Sequence, residues 1–318
     1  MILSVSKDMG RAGSAGFAGM QRRLLGWYRR HGRAALPWRT ERSPYRTVVS
    51  EFMLAQTQVD RVVPKFEAFV KRFPDFASLS RASLAGVLRE WKGLGYNSRA
   101  VRLHRLAQAV VESYGGVLPS QPRLLRLLPG IGAYTVAAIG AFAFNEAVAP
   151  MDTNVRRIVH RLFFGIEHPL KATARELDER ARALVPAARA HDWSSAMMDL
   201  GSAVCTARAP KCLLCPLRGD CAAAPVNAAQ LESARIAGAK RASPQNAMPF
   251  EQSRRYARGR IIDRLRDLPP GERISLLDLH SAVPAFSART VEDLRELVAA
   301  LEKDGLVTHD GEFVALRE

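Results

Sequence analysis

Leu128-Pro129-Gly130-Ile131-Gly132 is the stretch whose reading decides the fold. It separates a short amphipathic helix predicted over 123–128 from an apolar helix predicted over 133–144. Glycine at both positions permits a tight backbone and a close approach by a ligand. The helix that follows offers free N–H groups and a positive dipole end, which together hold a phosphate. In isolation such a stretch reads equally well as a cap and turn between two packed helices. Its surroundings decide between the two.

Outward from this turn, apolar residues recur at three-and-four spacing from Arg22 to about Arg218, and no alternating strand pattern competes. Helices are predicted over 46–59, 62–72, 82–90, 99–114, 123–128, 133–144, 152–162, 172–185 and 193–204. An all-α region follows. From 222 to 252 the chain turns to Ala, Ser, Asn, Gln and Pro without sustained periodicity, which reads as a linker. Beyond it come a basic helix over 253–267, a short strand and helix over 274–283, a helix over 290–303 and a hairpin over 306–316 turning near His309, Asp310 and Gly311. That order is winged-helix-like. The fold class expected is therefore mainly α with a small winged-helix-like C-terminal domain.

The chain has 318 residues, enough for two or three cores without disulfide staples. Lysine and arginine number 47 against 31 acidic residues, a net charge of +16, so a polyanion is the expected partner and nucleic acid the first candidate. A basic-proteome or membrane-surface protein is the plainer alternative. No apolar run reaches the length of a membrane span, no lipidation motif occurs, and residues 1–20 lack the apolar core of a secretory signal and read as a loose tail. The expected location is the cytoplasm.

Pro150-Met151-Asp152-Thr153-Asn154-Val155-Arg156-Arg157 places one carboxylate ahead of a basic helical face. Asp152 reads as a helix N-cap. A cap can also be a catalyst, because backbone N–H groups keep its carboxylate ionised and aimed, as a cationic sugar transition state requires. In Ser50-Glu51-Phe52-Met53-Leu54-Ala55-Gln56-Thr57-Gln58-Val59, Glu51 reads either as a first-turn helix acid or, in an apolar pocket, as an acid with a raised pKa able to protonate a departing base. Cys205, Cys212, Cys215 and Cys221 are all the cysteines of the chain, spaced C-x6-C-x2-C-x5-C. Such clustering points to metal, an iron–sulfur cluster or a structural zinc.

Glu51 with Met53-Leu54 and Gln56-Thr57-Gln58, Gly93-Leu94-Gly95-Tyr96, Leu128 to Gly132, Met151-Asp152-Thr153-Asn154, Met198-Asp199-Leu200-Gly201 and the four cysteines, in this order, resemble the A/G-specific adenine DNA glycosylases. More broadly they resemble the helix-hairpin-helix glycosylases that include endonuclease III. The resemblance spans roughly residues 22 to 222. It implies a six-helix barrel over 46–150 carrying the helix-hairpin-helix, and a [4Fe–4S] cluster domain formed by 21–45 and 151–222, with Cys205, Cys212, Cys215 and Cys221 as ligands. A catalytic region 21–222, a linker 223–252 and a winged-helix-like domain 253–318 complete the expected organisation.

The resemblance further implies a monofunctional glycosylase that excises adenine mispaired with 8-oxoguanine or guanine. Glu51 matches the general acid that protonates adenine at N7, and Asp152 the carboxylate that stabilises the oxocarbenium ion. Tyr134 falls where lyase relatives carry a Schiff-base lysine, so strand cleavage should be weak or absent. Gln56 and Tyr96 match residues that wedge into the base stack, and Thr57 and Leu94 those near the orphan base. Gly130 and Gly132 match the phosphate grip, and Trp38 an aromatic that begins the pocket wall, though a Trp in such a turn is equally often core. The implied partner is double-stranded DNA with a mispaired or damaged base, bound by a monomer away from membranes.

Three departures bear on substrate. Ala55 and Asn97 stand where relatives often carry glutamine and tyrosine, and Ser195 stands where a pocket glutamine often reads the adenine edge. No Nudix-like domain follows the cluster. The competing expectations are a thymine or uracil mismatch glycosylase of the same fold, a bifunctional lyase, and an iron–sulfur redox-sensing DNA-binding regulator.

Overall fold

The computed structural model describes residues 14–167, 171–227, 229, 231–233, 236, 249–286 and 289–318. Two compact units result, and each is assembled from separate stretches of chain: residues 1–47 with 132–243, and residues 48–131 with 244–318.

In the first unit, helices Ser14–His31, Thr153–Phe164, Ala174–Leu184 and Ala190–Ala203 share one core. Leu24, Trp27, Tyr28, Val159, Leu162, Leu184, Trp193, Met197 and Leu200 fill it, and three of the cysteines pack against its edge. The first helix begins at Ser14 and buries Met20. The tail expected over 1–20 is thus too long, because residues 17–20 continue the apolar face of that helix. Residues 1–13 lie outside the described residues. The helix Ala133–Ala143 also belongs to this unit and packs on Ala190–Ala203. The break expected at residue 150 therefore falls earlier, between Ile131 and Gly132.

In the second unit, Val59–Arg72 packs on Leu84–Glu90, and both Phe76–Arg81 and Leu84–Glu90 pack on the long helix Ser98–Tyr114. Phe66, Phe69, Leu79, Leu88, Trp91, Leu103, Leu106 and Leu125 are fully buried among them. Asp75 caps the helix Phe76–Arg81 and Ser83 caps Leu84–Glu90, each accepting a backbone N–H of the first turn. One helix was expected over 46–59, but the helix Pro44–Leu54 ends early and a new one starts at Val59. The reason is local: Gln56 takes a left-handed conformation at φ +61, which an α-helix cannot accommodate.

The C-terminal part joins this second unit. A helix Arg254–Arg266, strand β1 (Ile274–Ser275), helices Leu276–Ala282 and Val291–Lys303, and strands β2 (Val307–His309) and β3 (Phe313–Leu316) follow the winged-helix order. Strand β3 is central and antiparallel to both neighbours, with Val314 opposite Ile274 and Ala315 opposite Thr308. Asp310 shapes the hairpin by accepting from the backbone N–H of Glu312 and Phe313. The helix Arg254–Arg266 packs on Leu84–Glu90, with Lys92 paired to Asp267 at 2.6 Å. Much of the expected linker lies outside the described residues, but Leu231 within it is buried.

Candidate functional site

Asp152 is the N-cap of the helix Thr153–Phe164. Its Oδ1 accepts the Val155 N–H at 2.7 Å and its Oδ2 accepts Asn154 Nδ2 at 3.1 Å. Both oxygens are thus aimed by donors from the first turn, in the field of the helix N-terminus. Asn154 in turn accepts Arg157 Nη2 at 2.8 Å, and Arg157 donates onward to the carbonyls of Gly201 and Cys205, each at 2.8 Å. An unbroken chain of bonds therefore runs from the carboxylate to the first cysteine. Burial lowers the Arg157 pKa, an effect that Cys205, Glu167 and Asp152 oppose.

The four cysteines follow the last helix of that core. Cys212 opens one 3-10 turn, and Cys221 ends another that spans Arg218–Asp220. Arg161, almost wholly buried, holds Glu167 in a bidentate pair at 2.6 Å and turns its remaining nitrogen to Cys205 Sγ at 3.6 Å. Burial pushes the Cys215 thiol up to about 11, and the neighbouring Cys205, Cys221 and Cys212 push the same way. Cys205, Cys215 and Cys221 thus pack against the apolar core, and burial raises the Cys221 thiol as it does that of Cys215. Such a setting suits a thiolate-bound metal centre, whose positive charge removes the cost of deprotonation. No three His, Cys, Asp or Glu side chains among the described residues stand ready-made around a single ion.

Tyr134 lies in the first turn of the helix Ala133–Ala143, whose N-cap is Gly132, and it is partly exposed. Trp38 is buried in the short helix Pro37–Thr40. The turn around it is tied down by Asp199, which accepts Arg33 Nη2 at 2.6 Å, the Arg33 N–H at 2.8 Å and Arg39 Nη1 at 2.8 Å. Burial alone would raise the Asp199 pKa, but the two guanidinium groups win and lower it. Ser195 is fully buried, and its hydroxyl has no hydrogen-bond partner among the described residues.

In the second unit, Glu51 occupies the last turn of the helix Pro44–Leu54 and is half-buried. A first-turn position was one of the two readings of this residue, and the helix start at Pro44 rules it out. Gln56, Thr57, Leu94 and Tyr96 are brought together by a residue that sequence reading missed. Arg99, buried, donates through Nη1 to the carbonyls of Phe52, Met53 and Ala55, and through Nη2 to Thr57 Oγ1 and the carbonyls of Leu94 and Gly95, at 2.6–3.2 Å. One guanidinium thus clamps two loops. Burial brings its pKa down to about 10, which leaves it charged at neutral pH. Gln56 and Tyr96, at φ +61 and +45, stand at the exposed tips of these loops. Leu94 does not: it is buried, and its carbonyl is turned inward to Arg99. Only its place on the buried face shared with Leu103 and Leu106 marked Arg99 in the sequence.

Residues 49–186 match the HhH-GPD superfamily of base excision DNA repair proteins, and residues 205–221 match the iron-sulfur binding domain of endonuclease III. The adenine DNA glycosylase of Mycolicibacterium smegmatis is 40% identical over 302 residues, 93% of this chain and 95% of that protein. The chain belongs to the adenine DNA glycosylase family. It is a base-excision DNA glycosylase, it binds DNA, and its cofactor is a [4Fe–4S] cluster. Among solved structures, a thermostable thymine-DNA glycosylase is 30% identical with a TM-score of 0.60, covering 64% of this chain and 94% of that one. A non-covalent endonuclease III–DNA complex shares the fold at 20% identity and a TM-score of 0.55, over 66% of this chain and 95% of that one. No helix among the described residues is long and apolar enough to cross a membrane.

Proposed function

We propose that this protein is a monofunctional glycosylase that removes adenine mispaired with 8-oxoguanine or guanine in duplex DNA, acting as a cytoplasmic monomer. Glu51 protonates the adenine at N7, the glycosidic bond breaks with its electron pair leaving on the base, and Asp152 stabilises the cationic sugar. A water then adds to the sugar carbon and loses a proton, giving free adenine and an abasic site. The observation that carries this reading is the aimed carboxylate of Asp152, held by Val155 and Asn154, in a chain that is 40% identical to an adenine DNA glycosylase over nearly its whole length.

The catalytic region 21–222 and the winged-helix-like domain 253–318 are the functional divisions within this reading. Gln56 and Tyr96 enter the stack, Thr57 and Leu94 lie by the orphan base, and Gly130 and Gly132 approach phosphates. Tyr134 in place of an amine forms no Schiff base, so lyase activity is weak or absent. Cys205, Cys212, Cys215 and Cys221 would hold the cluster, whose iron would offset part of the charge of the four thiolates and tie together the basic loop of Arg208, Lys211 and Arg218 for DNA.

Single-turnover excision on duplexes carrying adenine opposite 8-oxoguanine, adenine opposite guanine, and thymine or uracil opposite guanine tests the reading. Adenine release is expected, with Glu51→Gln and Asp152→Asn each losing most activity while DNA binding persists. The likeness to a thymine-DNA glycosylase supplies the competing outcome: release of thymine or uracil alone, or a Glu51→Gln variant with near-wild-type rates, would overturn the adenine mechanism.

A further inference from the structure

The helix Arg254–Arg266 carries a row of arginines, most of them matched to acids. Arg254 pairs with Glu296, Arg258 with Asp304, and Arg260 and Arg266 with Asp263. Arg255 and Arg264 take no carboxylate among the described residues. Of the two, Arg255 is the exposed one, and it lays its guanidinium carbon 3.9 Å from the centroid of the Tyr96 ring. Tyr96 is the exposed, left-handed tip of the 93–98 loop.

The same helix grips that loop a second time. Arg266 Nη2 donates to Asn97 Oδ1 at 2.7 Å while its Nη1 is steadied by Asp263 at 3.0 Å. The Arg266 side chain is only 3% exposed, and its Nε is buried without a partner. Its planar fork holds Asp263 on one side and Asn97 on the other, which fixes the geometry between them. A cavity of about 660 Å³ opens here, lined by Gln56, Gln58, Tyr96, Arg255 and Tyr256 among others. It presents amides and aromatic rings, and its two acids, Asp263 and Asp304, are taken up by Arg260, Arg266 and Arg258, which leaves Arg255 without one; amides, rings and an unmatched cation are the chemistry that receives a nucleic-acid strand.

We infer that the helix Arg254–Arg266 is part of the DNA-reading site. Arg266 fixes the pose of the 93–98 loop through Asn97, and Arg255 binds a backbone phosphate of the strand that Tyr96 enters. An exposed guanidinium on a tyrosine face is weakly held. Exchanging that stack for a phosphate, with counterion release, is therefore favourable. This rests on Tyr96 being a DNA-facing residue. The C-terminal domain is then a contributor to recognition, and Arg255 is the cation that it holds in reserve.

The test uses the full-length cluster-loaded chain carrying Asp152→Asn, with affinity for an adenine/8-oxoguanine duplex and an undamaged duplex measured across a salt series. Arg255→Ala should make the slope of log K against log salt shallower by about 0.9, and Arg255→Lys should keep the slope. Asn97→Ala should weaken the mismatch duplex more than the undamaged one, with an unchanged thermal midpoint. An Arg255→Ala protein with the wild-type slope overturns the phosphate contact, and an Asn97→Ala protein with unchanged discrimination overturns the positioning role. Wild type that excises no base, beside an Arg255→Ala slope that still falls, would sink the proposed reaction and leave this inference standing.

Discussion

Arg99 Nη1 donates to the carbonyl of Ala55 at 2.6 Å, holding the chain immediately ahead of Gln56, a residue forced into the left-handed region. Left-handed backbone at a non-glycine residue costs roughly 1–2 kcal/mol, and Tyr96 adds a second instance across the same guanidinium. The clamp offsets both. It supplies six acceptor contacts from one buried, charged group, and charge-assisted bonds are the strong ones.

Arg99→Ala should therefore cost at least about 3 kcal/mol, since several buried carbonyls lose a charged donor at once. It should abolish mismatch-specific binding even at temperatures where the variant is folded. Arg99→Lys restores the charge without the fork and should recover little of either. Urea denaturation beside duplex affinity checks this: an Arg99→Ala protein of wild-type stability would mean that the loops hold themselves.

That clamp also marks where sequence reading stops. Most helices after residue 59, the Asp152 cap and the winged-helix order were legible, because each is set by periodicity or by a local cap, whereas the helices Ser14–His31 and Phe76–Arg81 were not among those predicted. Arg99 pairs with carbonyls some 46 positions earlier, and Asp199 with arginines some 160 or more positions earlier; nothing local announces a partner that folding brings from so far. Periodicity also carried one helix through 55–58, since an apolar rhythm contains no sign of a left-handed residue. Leu94, matched by resemblance to residues near the orphan base, is core, and the glycines around it give no sign of that burial.

Asp199 gives a pH prediction. Its carboxyl is held below its ordinary value of 3.8 by Arg39 and Arg33 against the opposing effect of burial. A group with a lowered folded pKa binds fewer protons than in the unfolded chain. Its contribution is present above that ordinary value and is lost as pH falls through the lowered one. Asp199→Asn should cost about 3 kcal/mol at neutral pH by leaving two guanidinium groups short of charge. The gap to wild type should narrow below about pH 4. Denaturation midpoints from pH 7 to pH 3 read this directly, and a gap that is constant with pH would assign the loss to packing.

The two glycines of the turn should separate folding from DNA contact. Gly130 sits at φ +80, and an added Cβ would meet the Phe52 ring at 2.9 Å and Arg102 Cβ at 3.2 Å. Gly130→Ala should thus destabilise by about 2–3 kcal/mol through backbone strain and overpacking. Gly132 has extended backbone, and nothing within 4 Å would meet its Cβ. Gly132→Ala should leave the melting midpoint unchanged, yet weaken duplex binding if a phosphate approaches that backbone. Unchanged binding by a well-folded Gly132→Ala protein would reduce this glycine to a turn residue.

Gly201 tests whether the carboxylate's aim matters more than its presence. A Cβ there would stand 2.6 Å from Asn154 Cβ and 3.3 Å from its Cγ, so Gly201→Ala must displace the side chain that donates to Asp152 Oδ2. Overpacking of this kind costs about 1–3 kcal/mol. The larger effect should fall on chemistry: with Asp152 still present but one donor misplaced, the single-turnover excision rate should drop at least roughly tenfold, the range in which about 1.4 kcal/mol of transition-state stabilisation is lost. DNA affinity should move by much less. Asn154→Ala, which removes the donor without the clash, should reproduce the rate loss at a smaller stability cost. Should Gly201→Ala bind and excise as wild type does, the Asn154 bond is dispensable and the helix-terminal Val155 N–H alone aims the carboxylate.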